Sequence, residues 1–266
     1  MEEKLIIHQF YGGHDITIIP LADVHLGARE CMQENFEHFI SLVKETPNVY
    51  LTLGGDLINN STRSSVGSPF TEVMPPHLQK REMANILAPI RDRILCFVPG
   101  NHERRSGKDA DDCPIYDIAA KLDLEDLYRE DMAYLKIQLG VPANENGTRT
   151  KGEERPTYII VVTHGAGGGM LPGAAVNRGQ RYGYIFNHMD LLLVGHTHVP
   201  YNAKYKKINI DSRNNKITAE DFKVVCATSW LDYAGYPVQK MLTPTSYADQ
   251  TILLRGTEKK IKASME

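Results

Sequence analysis

The chain has 266 residues, 42% hydrophobic and 24% charged, a balance that excludes extensive disorder and supplies enough apolar surface for a sizeable core. Its formal net charge of -3 and pI near 6.4 exclude a global pull toward nucleic acid or anionic lipid, so a polyanionic substrate has to be attracted locally. Cys31, Cys96, Cys113 and Cys226 are scattered without Cys-x-x-Cys spacing, no run nears the roughly 18 apolar residues of a membrane span, and Met1-Glu2-Glu3 is no signal peptide, so a reducing cytoplasm and a mature start at or near Met1 are expected.

In chain order, five short aliphatic, charge-free runs read as buried strands, and each delivers a polar cluster. Ile16 to Leu21 leads to Asp23-Val24-His25, and Val49 to Leu53 leads to Gly55-Asp56. Ile94 to Val98 leads to Gly100-Asn101-His102-Glu103, Tyr158 to Val162 to His164, and Leu191 to Val194 to Gly195-His196-Thr197-His198. Between them Phe36, Phe39, Ile40 and Val43 share a helical face. Met83, Ile86, Leu87 and Ile90 repeat it up to Pro89, and Ile115, Ile118, Ala119 and Leu122 give a third after Pro114. Segments 60–79 and 142–156 read as surface loops, and the glycines from Gly165 to Gly173 as a flexible lid able to bring backbone amides to a phosphate. Tyr201 to Ile210, Lys216 to Thr228 and Thr251 to Leu254 read as further, antiparallel strands, and Glu258 to Glu266 as a frayed polar tail. No linker interrupts the chain, so one domain over 1–266 is expected. Its class is α/β, two mixed sheets packed as a sandwich and flanked by helices, with the polar clusters at the carboxyl ends of strands.

No single motif carries weight, because Asp-x-His is frequent by chance. Together the strand ends offer the carboxylates of Asp23 and Asp56, the imidazoles of His25, His164, His196 and His198, and the Asn101 carbonyl. Seven ligands are too many for one tetrahedral zinc, but suit two divalent ions ~3.5 to 4 Å apart that share a bridging carboxylate. In extended chain residues i and i+2 point the same way, which accounts for the Asp-x-His and His-x-His spacings, and Gly55 and Gly195 permit backbone geometries that other residues resist.

The order D-x-H, G-D, G-N-H-E, H, G-H-x-H over residues 23–198 resembles the calcineurin-like metallophosphoesterase superfamily. The resemblance implies one metal on Asp23, His25, Asp56 and His198 and a second on Asp56, Asn101, His164 and His196, with Asp56 as the bridge. It also implies the sandwich of two mixed sheets. Mn²⁺ is the first choice of metal, with Fe, Zn or Ni as alternatives, because mixed nitrogen and oxygen ligands do not separate them.

Such a pair would neutralise phosphate charge and generate a bridging hydroxide as nucleophile. His102 is then the candidate general acid, and Asp56 and His102 the candidate catalytic pair. Candidate substrate contacts are Asn101, His102, Arg104, Arg105, Arg178 and Arg181, the arginines as phosphate clamps. Solvated surface charge explains the arginines about equally well. Tyr182 and Tyr184, and Tyr233 and Tyr236 near Trp230, could stack on a base or simply pack. Asn59 and Asn60 read as turn residues, and Glu103 as a hydrogen-bond acceptor rather than a catalyst.

The expected activity is a metal-dependent phosphodiesterase acting on nucleic acid or nucleotides. Asp23-Val24-His25-Leu26-Gly27 and Gly54-Gly55-Asp56-Leu57 resemble the exonuclease subunits of double-strand-break repair, which commonly carry Asp where Glu103 stands here. A phosphomonoesterase ranks second, since neither Gly-Asp-x-His-Gly nor Gly-Asp-x-Val-Asp-Arg-Gly of the protein phosphatases is present. A non-enzymatic scaffold ranks last.

Overall fold

The computed structural model describes residues 4–63, 65, 67–140, 155–168, 171–235, 238, 241, 244 and 247–266. Five strands, β2 (Ile16–Leu21), β3 (Val49–Leu53), β4 (Ile94–Phe97), β10 (Gln250–Leu254) and β11 (Ile261–Met265), form one sheet in the order β11-β10-β2-β3-β4. Six others, β1 (Ile6–Tyr11), β5 (Met132–Gly140), β6 (Thr157–Thr163), β7 (Leu191–Val194), β8 (Tyr201–Asp211) and β9 (Lys216–Cys226), form the second in the order β1-β5-β6-β7-β9-β8. Both are mixed. β2, β3 and β4 run parallel, as do β6, β7 and β9, while β10 and β8 pair antiparallel with β2 and β9.

The sheets pack face to face through Ile16, Ile18, Cys96, Leu135, Ile137, Ile160, Leu193, Val225 and Ile252. Outside the five-stranded sheet lie α1 (Gln33–Glu45), α2 (Pro76–Leu87) and α4 (Pro114–Lys121), whose Phe36, Ile40, Met83, Leu87, Ile115 and Ile118 bury against Leu51, Leu53 and Phe97. α5 (Pro172–Gly183) covers the six-stranded sheet near Leu192, Val194, Phe222 and Val224. α3 (Asn101–Ala110) stands at the carboxyl end of β4. Among the described residues no helix is long and apolar enough to cross a membrane. All four cysteines are free.

The expected sandwich is therefore present, with corrections in detail. Ile261–Met265 is no frayed tail but a strand paired with β10 from Gln250↔Met265 to Leu254↔Ile261. α2 begins at Pro76, inside the segment read as a loop, because Pro is tolerated in a first helical turn whose N–H groups have no partner. β9 stops at Cys226, two residues short of Thr228. The helices α3 and α5 and the strands β1 and β5 had no counterpart among the expected elements. Positions 64 and 66 of the first loop, positions 142–154 of the second, Gly169 of the glycine segment and Tyr236 lie outside the described residues.

Candidate metal centre

All five polar clusters leave carboxyl ends of parallel strands, and both sheets present those ends at the same edge of the sandwich. The ligand residues do not continue the strands. Asp23, His25, Asp56, His196 and His198 have φ of 54°, 52°, 51°, 71° and 55°. Extended i, i+2 geometry is thus not what aims Asp23 with His25 or His196 with His198; left-handed turns are. Asp and His adopt that region more readily than most residues, yet each such position costs about 1–3 kcal/mol and persists only where its surroundings over-determine it.

The surroundings do so with hydrogen bonds. Asp23 N–H donates to Gly55 O (3.0 Å) and His25 N–H to Asp56 O (2.9 Å), which locks the first two clusters together. His196 N–H donates to Asp23 Oδ2 (2.8 Å), and His102 N–H, in the first turn of α3, to Asp56 Oδ1 (2.8 Å). Gly55 has φ of 90°, and a Cβ there would lie 2.3 Å from Gly100 N. Gly195 is required for a different reason from the one expected: its φ is not left-handed, but a Cβ would meet Asp23 Oδ2 at 2.9 Å.

Glu103 is the hub of this wall. Its buried carboxylate accepts from the N–H groups of Asp56 (2.9 Å), Ile58 (3.1 Å) and Gly100 (2.8 Å). Burial first, and then the Asp56 charge, push its pKa up to about 7. Asn60 is more than a turn residue: its side chain donates to His102 O and Ser106 Oγ, both at 2.8 Å, and its N–H to the fully buried Gln79 (2.8 Å). Gln79 in turn donates to Glu72 (2.9 Å). This scaffold falls in the aperiodic segment read as a surface loop, where no pattern announces it.

Within this frame three groups bring metal-competent atoms within 4.8 Å of one another: Asp23, His25 and His198; His25, Asp56 and His102; Asp56, His164 and His196. His164 Nε2 lies 3.2 Å from Asp56 Oδ2 and 3.0 Å from Asn101 Oδ1. Its Nδ1 faces Gly54 O at 2.9 Å, so in the neutral ring Nδ1 carries the proton and Nε2 turns a bare lone pair toward two oxygen acceptors. Across the site His25 Nε2 and His198 Nε2 are 3.2 Å apart, and His198 Nε2 is 3.4 Å from Asp23 Oδ1. With no cation present a proton has to sit between each such facing pair, whereas divalent cations would satisfy every one of them. The donor set fits a two-metal centre.

The charges respond accordingly. Burial alone would raise Asp23 and Asp56, but His198 beside Asp23 and His164 and His102 beside Asp56 hold both below the ordinary carboxylate value. Burial would lower His164, yet Asp56 and Asp23 lift it to about 10. Burial, followed by the neighbouring His102, drives His25 well below its usual value.

His102 Nε2 lies 3.8 Å from Asp56 Oδ2, and its ring is 4.4 Å from that of His25. Arg105 is half-buried nearby and reaches Ser65 Oγ at 3.4 Å. Arg104 lines a cavity of about 490 Å³ that opens beside Asn101, His164 and His196, and its guanidinium donates to Glu130 O and Asp131. The remaining arginines sit on α5. Arg178 turns its fork to Gly167 O (2.6 Å) and Gly168 O (2.7 Å), tethering the loop after His164, while Arg181 is exposed.

A family model, calcineurin-like phosphoesterase, matches residues 16–200, most of the chain and every candidate ligand position from Asp23 to His198. The chain belongs to the calcineurin-like phosphoesterase family. Membership and the Asp/His clusters together identify this phosphoesterase as metal-dependent. No curated protein matches the chain closely enough to add a relative.

Proposed function

We propose that this phosphoesterase is a two-metal phosphodiesterase acting on nucleotides or nucleic acid. Asp23, His25, Asp56 and His198 would hold one cation, and Asp56, Asn101, His164 and His196 the other, with Mn²⁺ the first choice and Fe, Zn or Ni the alternatives. The bound pair would offset phosphate charge and acidify water for attack at phosphorus. The observation that carries the reading is the convergence of these lone pairs around Asp56, whose Oδ1 is occupied by the His102 N–H while Oδ2 faces His164.

His102 serves as the general acid. Its Nδ1 is fixed on Asn59 O at 2.8 Å, which leaves Nε2 to carry the mobile proton toward the leaving alkoxide. Burial holds this imidazole below its ordinary value, partly offset by the Asp56 charge. Arg105 adds positive charge beside His102, and Arg104 adds it along the cavity. Support for a diester comes from that cavity, which extends past the ligands and gives room for a second ester substituent.

The test compares Mn²⁺-loaded protein on bis-p-nitrophenyl phosphate and p-nitrophenyl phosphate. Faster cleavage of the diester is expected. A monoester preference would make the chain a phosphomonoesterase, and turnover of neither would leave a binding scaffold.

A further inference from the structure

The cavity and the general acid lie on different sides of the metal centre. Asn101, His164 and His196 line the cavity, whereas His25, His102 and His198 do not. A leaving group protonated by His102 departs on the His25 side. What the cavity receives is therefore the substituent that stays on phosphorus, and only a diester has one.

The walls say what that substituent is. Met132 pairs with Thr163, next to His164, and Tyr134 pairs with Val161, so Met132 and Tyr134 stand on one sheet face with Tyr134 about 7 Å farther from the ligands. The half-buried Tyr134 ring meets Phe186 edge-on at 6.1 Å. Arg104, held against Asp131, and Gly165 to Gly167 complete the lining. Besides the candidate ligands the cavity thus offers a guanidinium, a carboxylate, a thioether and an aromatic ring. Those groups suit a phosphate, a sugar and a base.

We propose that this cavity is a nucleoside subsite in which Tyr134 stacks on the base of the retained nucleotide, making Tyr134 a specificity-determining residue. The proposal rests on the diesterase reading. In the reaction water loses a proton to solvent and its oxygen bonds to phosphorus, the bond from phosphorus to the leaving oxygen breaks, and His102 gives that oxygen its Nε2 proton and is reprotonated from solvent. The products are an alcohol and a nucleoside monophosphate, the latter left in the cavity.

The probe is thymidine 5′-(p-nitrophenyl phosphate), compared on Mn²⁺-loaded protein with methyl p-nitrophenyl phosphate, whose retained methyl group has no ring to stack. The wild type should show a KM about tenfold lower for the nucleoside diester, as expected of one base stacked on an aromatic ring. Tyr134→Ala should abolish that advantage through a rise in KM for the nucleoside diester, and Tyr134→Phe should keep it. Equal KM values for the two diesters in the wild type, or a parallel loss on both in Tyr134→Ala, would overturn the subsite while leaving the diesterase reading intact. If neither diester is turned over, the diesterase reading fails. Calorimetric binding of thymidine 5′-monophosphate then still decides the subsite, and equal affinities in wild type and Tyr134→Ala would overturn it.

Discussion

The two walls of the metal centre are built differently. On one side the Asp56 turn and the start of α3 are fastened by Glu103, Asn60, Ser106 and Gln79, all buried. On the other, the loop from Gly165 to Gly168 hangs from α5 by Arg178 and by Tyr182, whose hydroxyl donates to Ala166 O at 3.3 Å, and these contacts are exposed. Buried polar networks make a wall rigid because each broken bond strands a partner away from water, whereas an exposed bond exchanges with solvent at little cost. The contrast teaches a division of labour: the fastened wall holds the groups that need fixed positions for chemistry, and the tethered wall borders the space where substrate enters.

Removing the proposed general acid, His102, from the fastened wall has the largest expected effect. His102→Gln should lower kcat on a diester by about 10² to 10⁴ while metal content, measured by atomic emission, stays at the wild-type level. If metal is lost as well, His102 belongs to the ligand set. Next comes the hub. Glu103→Ala strands three buried N–H groups at about 1–3 kcal/mol each, so urea unfolding should show a destabilisation of about 3 kcal/mol or more. Glu103→Gln keeps one acceptor oxygen but turns an NH₂ donor toward a buried N–H, so it should destabilise less than Glu103→Ala yet still by about 1–3 kcal/mol, and weaken Mn²⁺ binding by about 10- to 100-fold, as a lost support of a ligand does. Chelation sharpens the comparison from the other side: activity should vanish, far-UV circular dichroism should persist, and readdition of Mn²⁺ at about 100 times its Kd should restore about 2.7 kcal/mol of stability. The smallest effect belongs to the tethered wall. Arg178→Ala should cost under about 1 kcal/mol in stability and raise KM a few-fold with kcat nearly unchanged, and a drop in kcat equal to that of His102→Gln would erase the proposed division.

The sequence made one class of element legible. β4 and β7 are buried throughout and β2, β3 and β6 in the main, and all five read as charge-free, largely apolar runs, so their ends and the candidate ligand clusters could be placed together. β5 and β11 put Lys136, Lys262 and Ser264 on outward faces, which resembles loop or tail. α3, Asn-His-Glu-Arg-Arg-Ser-Gly-Lys-Asp-Ala, has almost no apolar residue: its buried side is Glu103 and Ser106, held by hydrogen bonds that no hydrophobic period reports. α5 hides behind its glycines. Gly179 and Gly183 let it lie so near β8 and β9 that a Cβ would strike Tyr201 or Phe222, at 1.7 Å and 2.2 Å. The ligand side chains were legible by residue type and spacing, but the left-handed turns that aim them were not, since extended backbone accounts for the same spacing.

Those turns have a further consequence. Asp23, His25, Asp56, His196 and His198 occupy a region of backbone space in which glycine would be more comfortable than the residue present. With no cations to be held, replacement by glycine would relieve backbone strain at His25, His196 and His198, whereas at Asp23 and Asp56 it would also strand the His196 and His102 N–H groups. Backbone comfort and chemistry therefore pull in opposite directions at these turns, and bound cations would reconcile them.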